Sequence, residues 1–386
     1  MKTLAPGCKR IAVFLDGTWN VTTDNTNVWR LSALCAPFSK SGVRQVKRYD
    51  IGVNGFWGGA FGKGVGTNIV AAYEWLVGEY DPGDEIFIFG FSRGAFTARS
   101  LAGFITKYGL LKPGAPLGVK QLFERYQRAD DVTIRGLAAA STDGSLADPE
   151  LEERWMLRYS QPVNIKMVGV WDTVGALGIP WFSFEGISRK TFGWMHTGLR
   201  IPIENAYHAL AIDEHRRSFE PTLWTVKSTT RATPRSLDSV EQRWFVGNHG
   251  NIGGGYGGDV LVQAPLRWLQ KKAEGHGLEF RYDAEIDPEH HAAPIPDSHA
   301  DFMRGLYRLG SARYLRPIGL EQFSDERGTH SIINETIDGT VFERWHLNPA
   351  YRPGNLSDWA RRKGVDPEDI NGSVLAMAPK RPLGVD

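Results

Sequence analysis

Cysteine is nearly absent: Cys8 and Cys35 are the only two in 386 residues. That is too few for a disulfide framework or a thiolate-bound metal, and a reducing compartment suits them. Charge of one sign is lacking as well. With 45 Lys and Arg against 44 Asp and Glu, the net charge of +1 gives no basic footprint, so no nucleic-acid partner is expected. No apolar run approaches a membrane span, and Met1 to Arg10 contains no stretch long enough for a signal-peptide core. The expectation is a soluble, cytoplasmic protein, with export open only through a route that needs no cleaved signal. The His-x-x-x-His pattern is missing too, so metal-assisted hydrolysis drawing on Asp16, Asp24 or Asp259 finds no ligand spacing to support it. No cofactor and no catalytic metal are expected, while a structural calcium at an oxygen-rich loop is left open.

What is present is an ordinary globular composition, 41% hydrophobic and 23% charged, which can bury a sizeable core. The 13 Trp, 12 Tyr and 19 Phe are read first as core; an amphipathic lipid-facing surface is the second reading. Ile11 to Leu15 reads as a buried strand stopping at Asp16-Gly17-Thr18, and Val28 to Leu34 as a helix behind a capping segment, Thr22 to Asn27. The glycine-dense stretch from Asp50 to Thr67 reads as a long loop. Thr67 to Glu79 reads as a helix, Glu85 to Gly90 as a strand and Arg93 to Tyr108 as a helix. Ile165 to Trp171 is expected to be a strand, Asn205 to Asp213 a helix, and Arg243 to Gly247 a strand. This rhythm predicts an α/β protein with a mostly parallel sheet and helices on both faces. One core over residues 1–274 is expected, with a cap-like insertion at about 112–161 that includes a helix over Lys120 to Arg128. Residues 275–386 are expected as a C-terminal extension packed on the core.

The chemistry concentrates in Gly90-Phe91-Ser92-Arg93-Gly94. Gly-x-Ser-x-Gly between a strand and a helix is the pattern of a nucleophile elbow, in which the serine needs a base and an orienting acid. Asp172, at the end of Val168-Gly169-Val170-Trp171, is the first choice of acid; the alternative reading is a helix cap, with Thr173 able to share that role, and Asp213 and Asp259 are rivals. His249, after Trp244 to Asn248, is the candidate base, ahead of His196, His208 and His215. The order Ser, Asp, His is that of an α/β-hydrolase. An oxyanion hole would draw on the Arg93 N–H and on Gly17 or Thr18 in the turn after the first strand. Asp16 either braces that turn or is an ordinary turn former.

Taken together, Phe14 to Asn20, Thr26-Asn27-Val28, Gly90 to Ala95, Val170 to Gly175, and His249 followed by Gly253-Gly254-Gly255-Tyr256 resemble the α/β-hydrolase family that includes the type VI secretion phospholipase effectors. The resemblance runs from about Ile11 to Trp268, with weaker likeness at Asp297-Ser298 and at Tyr351 to Leu356. It implies an α/β-hydrolase fold with a Ser92, Asp172 and His249 triad and the Asp16-Gly17-Thr18 turn beside the oxyanion hole. It also implies a lipid or phospholipid acyl ester as substrate, contact with a membrane surface, and secretion and immunity proteins as partners. Where the family has aspartate, this chain has Asn251, a change that bears on the anchoring of the histidine loop. The expected function is carboxylic-ester hydrolysis through an acyl-serine. The alternatives are a small-ester esterase and a catalytically silent fold used for binding.

Overall fold

The computed structural model describes residues 4–17, 24–52, 58–128, 131–174, 199–227, 233–325, 328–377 and 383–384. Its centre is an eight-stranded sheet. In chain order the strands are β1 (Arg10–Leu15), β2 (Gln45–Asp50), β3 (Glu85–Phe91), β4 (Ile165–Trp171), β5 (Ala206–Ala211), β6 (Val240–Phe245), β7 (Glu335–Ile337) and β8 (Val374–Leu375). They lie side by side as β8-β7-β6-β5-β4-β3-β1-β2. Every neighbouring pair is parallel except β7 with β8.

β1 and β3 are almost continuously apolar because both of their faces are covered. Ile11, Val13, Leu15, Ile86 and Ile88 enter one core cluster, while Ala12, Phe14, Phe87, Phe89 and Phe91 enter the other. The first cluster receives Ile69, Ala72 and Leu76 of α2 (Gly58–Glu79) and Ala95, Ala98 and Leu101 of α3 (Arg93–Tyr108). The second receives Val28 and Leu31 of α1 (Asn27–Leu34) and a C-terminal partner helix over Gln263–Gly275. Helices therefore cover both faces, as the sequence rhythm predicts.

Two expectations are corrected. Asn205 to Asp213 is not a helix: Ala206–Ala211 is the fully buried strand β5 in mid-sheet. A segment buried on both faces carries no period by which strand and helix can be told apart. The glycine-dense loop is in part helix, since α2 begins at Gly58; packing of its later apolar face outweighs the poor propensity of glycine. The expected loop over 53–57 lies outside the described residues.

The insertion holds helices at Val119–Gln127, Ile134–Asp143 and Leu151–Tyr159. Its Leu122, Phe123, Tyr126, Ile134 and Met156 join the same cluster as α2 and α3, which makes it an added layer over those helices. Beyond residue 275 the chain supplies β7 and β8 to the sheet and packs Val341, Phe342, Trp345 and Trp359 against Trp244 and Leu210.

Strand order reverses between β1 and β3, with β2 lying outside β1. In open α/β sheets such a switch point opens a crevice at the carboxyl ends of the strands. Ser92 follows β3, Asp172 follows β4, and the Gly247-Asn248-His249 turn follows β6.

Candidate active site

The sheet register continues past the strand ends and sets the site. Ser92 N–H donates to Trp171 O at 3.0 Å, and Asp172 N–H donates to Ala209 O at 2.8 Å. Ser92 has φ 56° and ψ −121°, a strained conformation for a residue with a side chain. Close approach explains the flanking glycines. A Cβ on Gly90 would lie 2.4 Å from Gly94 O, and one on Gly94 would lie 2.2 Å from Leu15 O and 2.4 Å from Asp16 O. The elbow is thus pressed against the turn that ends β1.

His249 opens a short helix, α4 (His249–Gly253), capped by Asn248, whose side chain accepts from the N–H groups of Gly250 and Asn251. The imidazole lies between serine and acid: Nε2 is 2.8 Å from Ser92 Oγ, and Nδ1 is 2.6 Å from Asp172 Oδ2. All three side chains are buried. With Nδ1–H donated to the carboxylate, Nε2 carries the lone pair and can take the serine proton. Phe91 packs at 4.7 Å from the imidazole and Phe219 at 5.1 Å. Burial pushes the His249 pKa below its ordinary value, against the raising effect of the hydrogen bond and charge of Asp172.

Arg316 was not found by sequence reasoning. It is wholly buried, and its guanidinium donates to Asp172 Oδ1 at 2.6 Å and to Oδ2 at 3.0 Å, and also to Ala211 O and Phe219 O. Burial alone would raise the Asp172 carboxyl, but the Arg316 charge and the His249 contact hold it well below the usual carboxylate range. Nothing local in Leu315-Arg316-Pro317 signals the role.

A second buried ion pair stands behind the histidine. Glu214 accepts from the side chain of Arg216 at 2.8 and 2.7 Å, from His249 N–H at 3.2 Å and from Ser298 Oγ at 3.0 Å. Burial opposes its ionisation, yet Arg216 brings its pKa down to about 2. The Arg216 guanidinium lies 3.5 Å over the Phe219 ring, joining the pair to the wall of the site. A run of charged residues directly after a buried apolar stretch, Asp213-Glu214-His215-Arg216, was the available signal.

The remaining candidates divide clearly. Asp16 Oδ1 accepts from Gly17 N–H at 2.7 Å, and Oδ2 accepts from Tyr49 at 2.8 Å and from Thr26, so Asp16 braces the turn rather than merely forming it. The Gly17 N–H, expected as an oxyanion donor, is therefore engaged by Asp16; Thr18 lies outside the described residues. Arg93 N–H is at the first position of α3, the end where backbone donors point out of a helix. Asn251 Oδ1 accepts from Asn248 N–H and its Nδ2 donates to Asp259 Oδ2, both at 2.9 Å. Asp213 accepts from Gly247 N–H at 2.7 Å and from Tyr351 at 3.1 Å. Asp213 and Asp259 both support the loop that carries His249. His208 accepts from Thr173 N–H at 2.9 Å, His215 contacts Tyr314 O, and His196 lies outside the described residues.

A family model described as T6SS, Phospholipase effector Tle1-like, catalytic domain matches residues 9–272. An uncharacterized protein of Saccharomyces cerevisiae is 32% identical over 162 residues, 41% of this chain and 21% of its own length. Among solved structures, an uncharacterized protein from Pseudomonas aeruginosa aligns with TM-score 0.48 and 16% identity over 79% of this chain and 51% of its own. The structure of the Tle1 effector bound to the VgrG spike of the type 6 secretion system aligns with TM-score 0.35 and 20% identity, over 69% and 54%. The chain spans about a fifth of the yeast relative and about half of each solved chain.

Proposed function

The chain belongs to the family of Tle1-like type VI secretion phospholipase effectors, matched through the catalytic domain, and on that premise we propose that it hydrolyses acyl esters of phospholipids with Ser92 as nucleophile. The observation that carries this reading is the His249 imidazole held between Ser92 Oγ at 2.8 Å and Asp172 Oδ2 at 2.6 Å.

In this reading Ser92 Oγ attacks the acyl carbonyl as its proton passes to His249 Nε2, and the resulting imidazolium is stabilised by Asp172. The Arg93 N–H faces the developing oxyanion, together with a donor from the turn after β1. Each such donor contributes roughly 3 kcal/mol in the transition state. The Gly17 N–H can serve only by exchanging Asp16 Oδ1 for the oxyanion. Collapse of the tetrahedral intermediate releases the alcohol, which takes the proton from His249. Water then repeats the cycle on the acyl-serine.

Membership of that family supports delivery by a signal-independent secretion system, and a secretion partner and a protective immunity protein fit the same reading. No helix among the described residues is long and apolar enough to cross a membrane. Peripheral contact with a lipid surface belongs to the same reading.

The test compares wild type with Ser92→Ala on nitrophenyl esters and on phospholipid vesicles. Loss of about a million-fold in turnover is expected on both. Cleavage confined to the short esters would indicate a small-ester esterase. Absence of serine-dependent turnover, together with no labelling of Ser92 by a fluorophosphonate probe, would favour a silent binding fold.

A further inference from the structure

His290 and His291 take no part in the proposed chemistry, yet their surroundings are those of ligands. His290 Nδ1 lies 2.9 Å from Asp287 O, and His291 Nδ1 lies 3.1 Å from Pro288 O. A carbonyl only accepts, so each Nδ1 carries hydrogen and, in the neutral ring, each Nε2 carries a lone pair. Backbone carbonyls commonly orient metal-binding histidines in this way.

His290 is 6% exposed, and its Nε2 has no hydrogen-bond partner among the described residues. Glu343 Oε2, from the helix Gly339–Leu347, lies 3.4 Å from that nitrogen. Two acceptors facing each other at this distance repel unless a positive species lies between them. The separation also has a specific meaning, because a tetrahedral zinc with ligand bonds of about 2.1 Å holds neighbouring ligand atoms about 3.4 Å apart. His291 supplies the third ligand: one donor atom from each of the three residues lies within 4.8 Å of the others. His291 is half-buried and Glu343 exposed, so both can close on an ion by rotation of the side chain.

We propose that His290, His291 and Glu343 bind a divalent transition-metal ion of the zinc class, with solvent in the fourth position. Two imidazoles and one carboxylate favour such an ion over calcium or magnesium, which prefer oxygen ligands. The ion ties the turn His290–Ala292 to the helix Gly339–Leu347. A few residues further on, Pro296 O accepts from Asn248 Nδ2 at 2.9 Å, and Asn248 caps the helix that carries His249. The site is therefore a structural brace behind the catalytic histidine.

The experiment strips the purified full chain with a chelator, desalts it, and titrates zinc by calorimetry and thermal unfolding. One zinc per chain with a raised melting temperature is expected. His291→Ala and Glu343→Gln, both outside the core, should each weaken zinc binding at least about tenfold while leaving metal-free melting and basal nitrophenyl-ester turnover unchanged. If wild type takes up no stoichiometric zinc at sub-millimolar concentration, the contact is a direct His290–Glu343 pair and the proposal is overturned. Unchanged affinity in both variants would also overturn it, by locating the ion elsewhere.

Discussion

Replacing Arg316 with methionine removes the cation that neutralises Asp172 while nearly preserving side-chain volume. The guanidinium is fully buried and makes two hydrogen bonds to Asp172 and one each to Ala211 O and Phe219 O. Removing one partner of a buried ion pair leaves an uncompensated charge and costs about 3–5 kcal/mol. A domain stable by about 5–15 kcal/mol survives that loss with reduced margin. Urea unfolding followed by tryptophan fluorescence reads the cost directly. In an Asp172→Asn background the carboxylate charge is already gone, so Arg316→Met should cost less there, with a coupling of about 2–3 kcal/mol. The pH profile supplies an independent measure. In the wild type burial holds His249 below its ordinary value, so the acid limb of kcat/KM should lie below about 6.5. Without Arg316, the Asp172 charge acts undiminished on the imidazolium, His249 becomes more basic, and the limb moves to higher pH. A stability change within about 0.5 kcal/mol, which is usual for uninvolved positions, together with an unmoved acid limb, would refute the assignment of Arg316 as the residue positioning the acid.

Two further outcomes follow from the loop that carries His249. Glu214 is held at about 2 against an ordinary 4.5, so its ionised form adds stability that is complete above about pH 4.5 and lost as pH falls through about 2. Glu214→Gln should therefore lower stability by about 3 kcal/mol near neutrality, with the gap closing in acid; a gap independent of pH in thermal unfolding would count against it. Asn251→Asp keeps the acceptor for Asn248 N–H but sets a second carboxylate against Asp259, now 2.9 Å from the amide. A cost of about 1–3 kcal/mol is expected at pH 8, shrinking at pH 5 as the pair shares a proton and removed by Asp259→Asn; melting curves of the single and double variants check this.

The parts of the fold legible in the sequence were those with local signals. β1, β3 and β4 are short, mainly apolar runs that stop at turns, β6 showed only its Trp244-Phe245 end before the Gly247 turn, and Gly90 to Gly94 records a close approach that only glycine permits at its ends. The strands that escaped had no such signal. β5, Ala-Tyr-His-Ala-Leu-Ala, is buried on both sides and rich in alanine, so its composition suits a helix as well as a strand. β2, Gln-Val-Lys-Arg-Tyr-Asp, lies at the sheet edge with only its first residue fully buried. β7 and β8 are too short to leave a period.

For the site the boundary falls between geometry and field. Ser92 and Asp172 each follow directly on a readable strand and His249 stands in the turn after one, which is what made them candidates, and the register of the sheet brings those ends together. What sets the basicity of His249 could not be read in the same way. Asp172 is paired with Arg316 from 144 residues away, and Glu214 with Arg216. Burial pushes the imidazole below its ordinary value, the hydrogen bond and charge of Asp172 and the charge of Glu214 push it up, and the charge of Arg216 pushes it down. A carboxylate bonded to Nδ1 by itself makes a histidine more basic, which favours the protonated ring that has no lone pair left for a serine proton. In the proposed chemistry the buried arginine offsets the Asp172 charge while leaving the carboxylate in place to orient the imidazole, so the cation behind the acid belongs with the acid among the conditions for a working base.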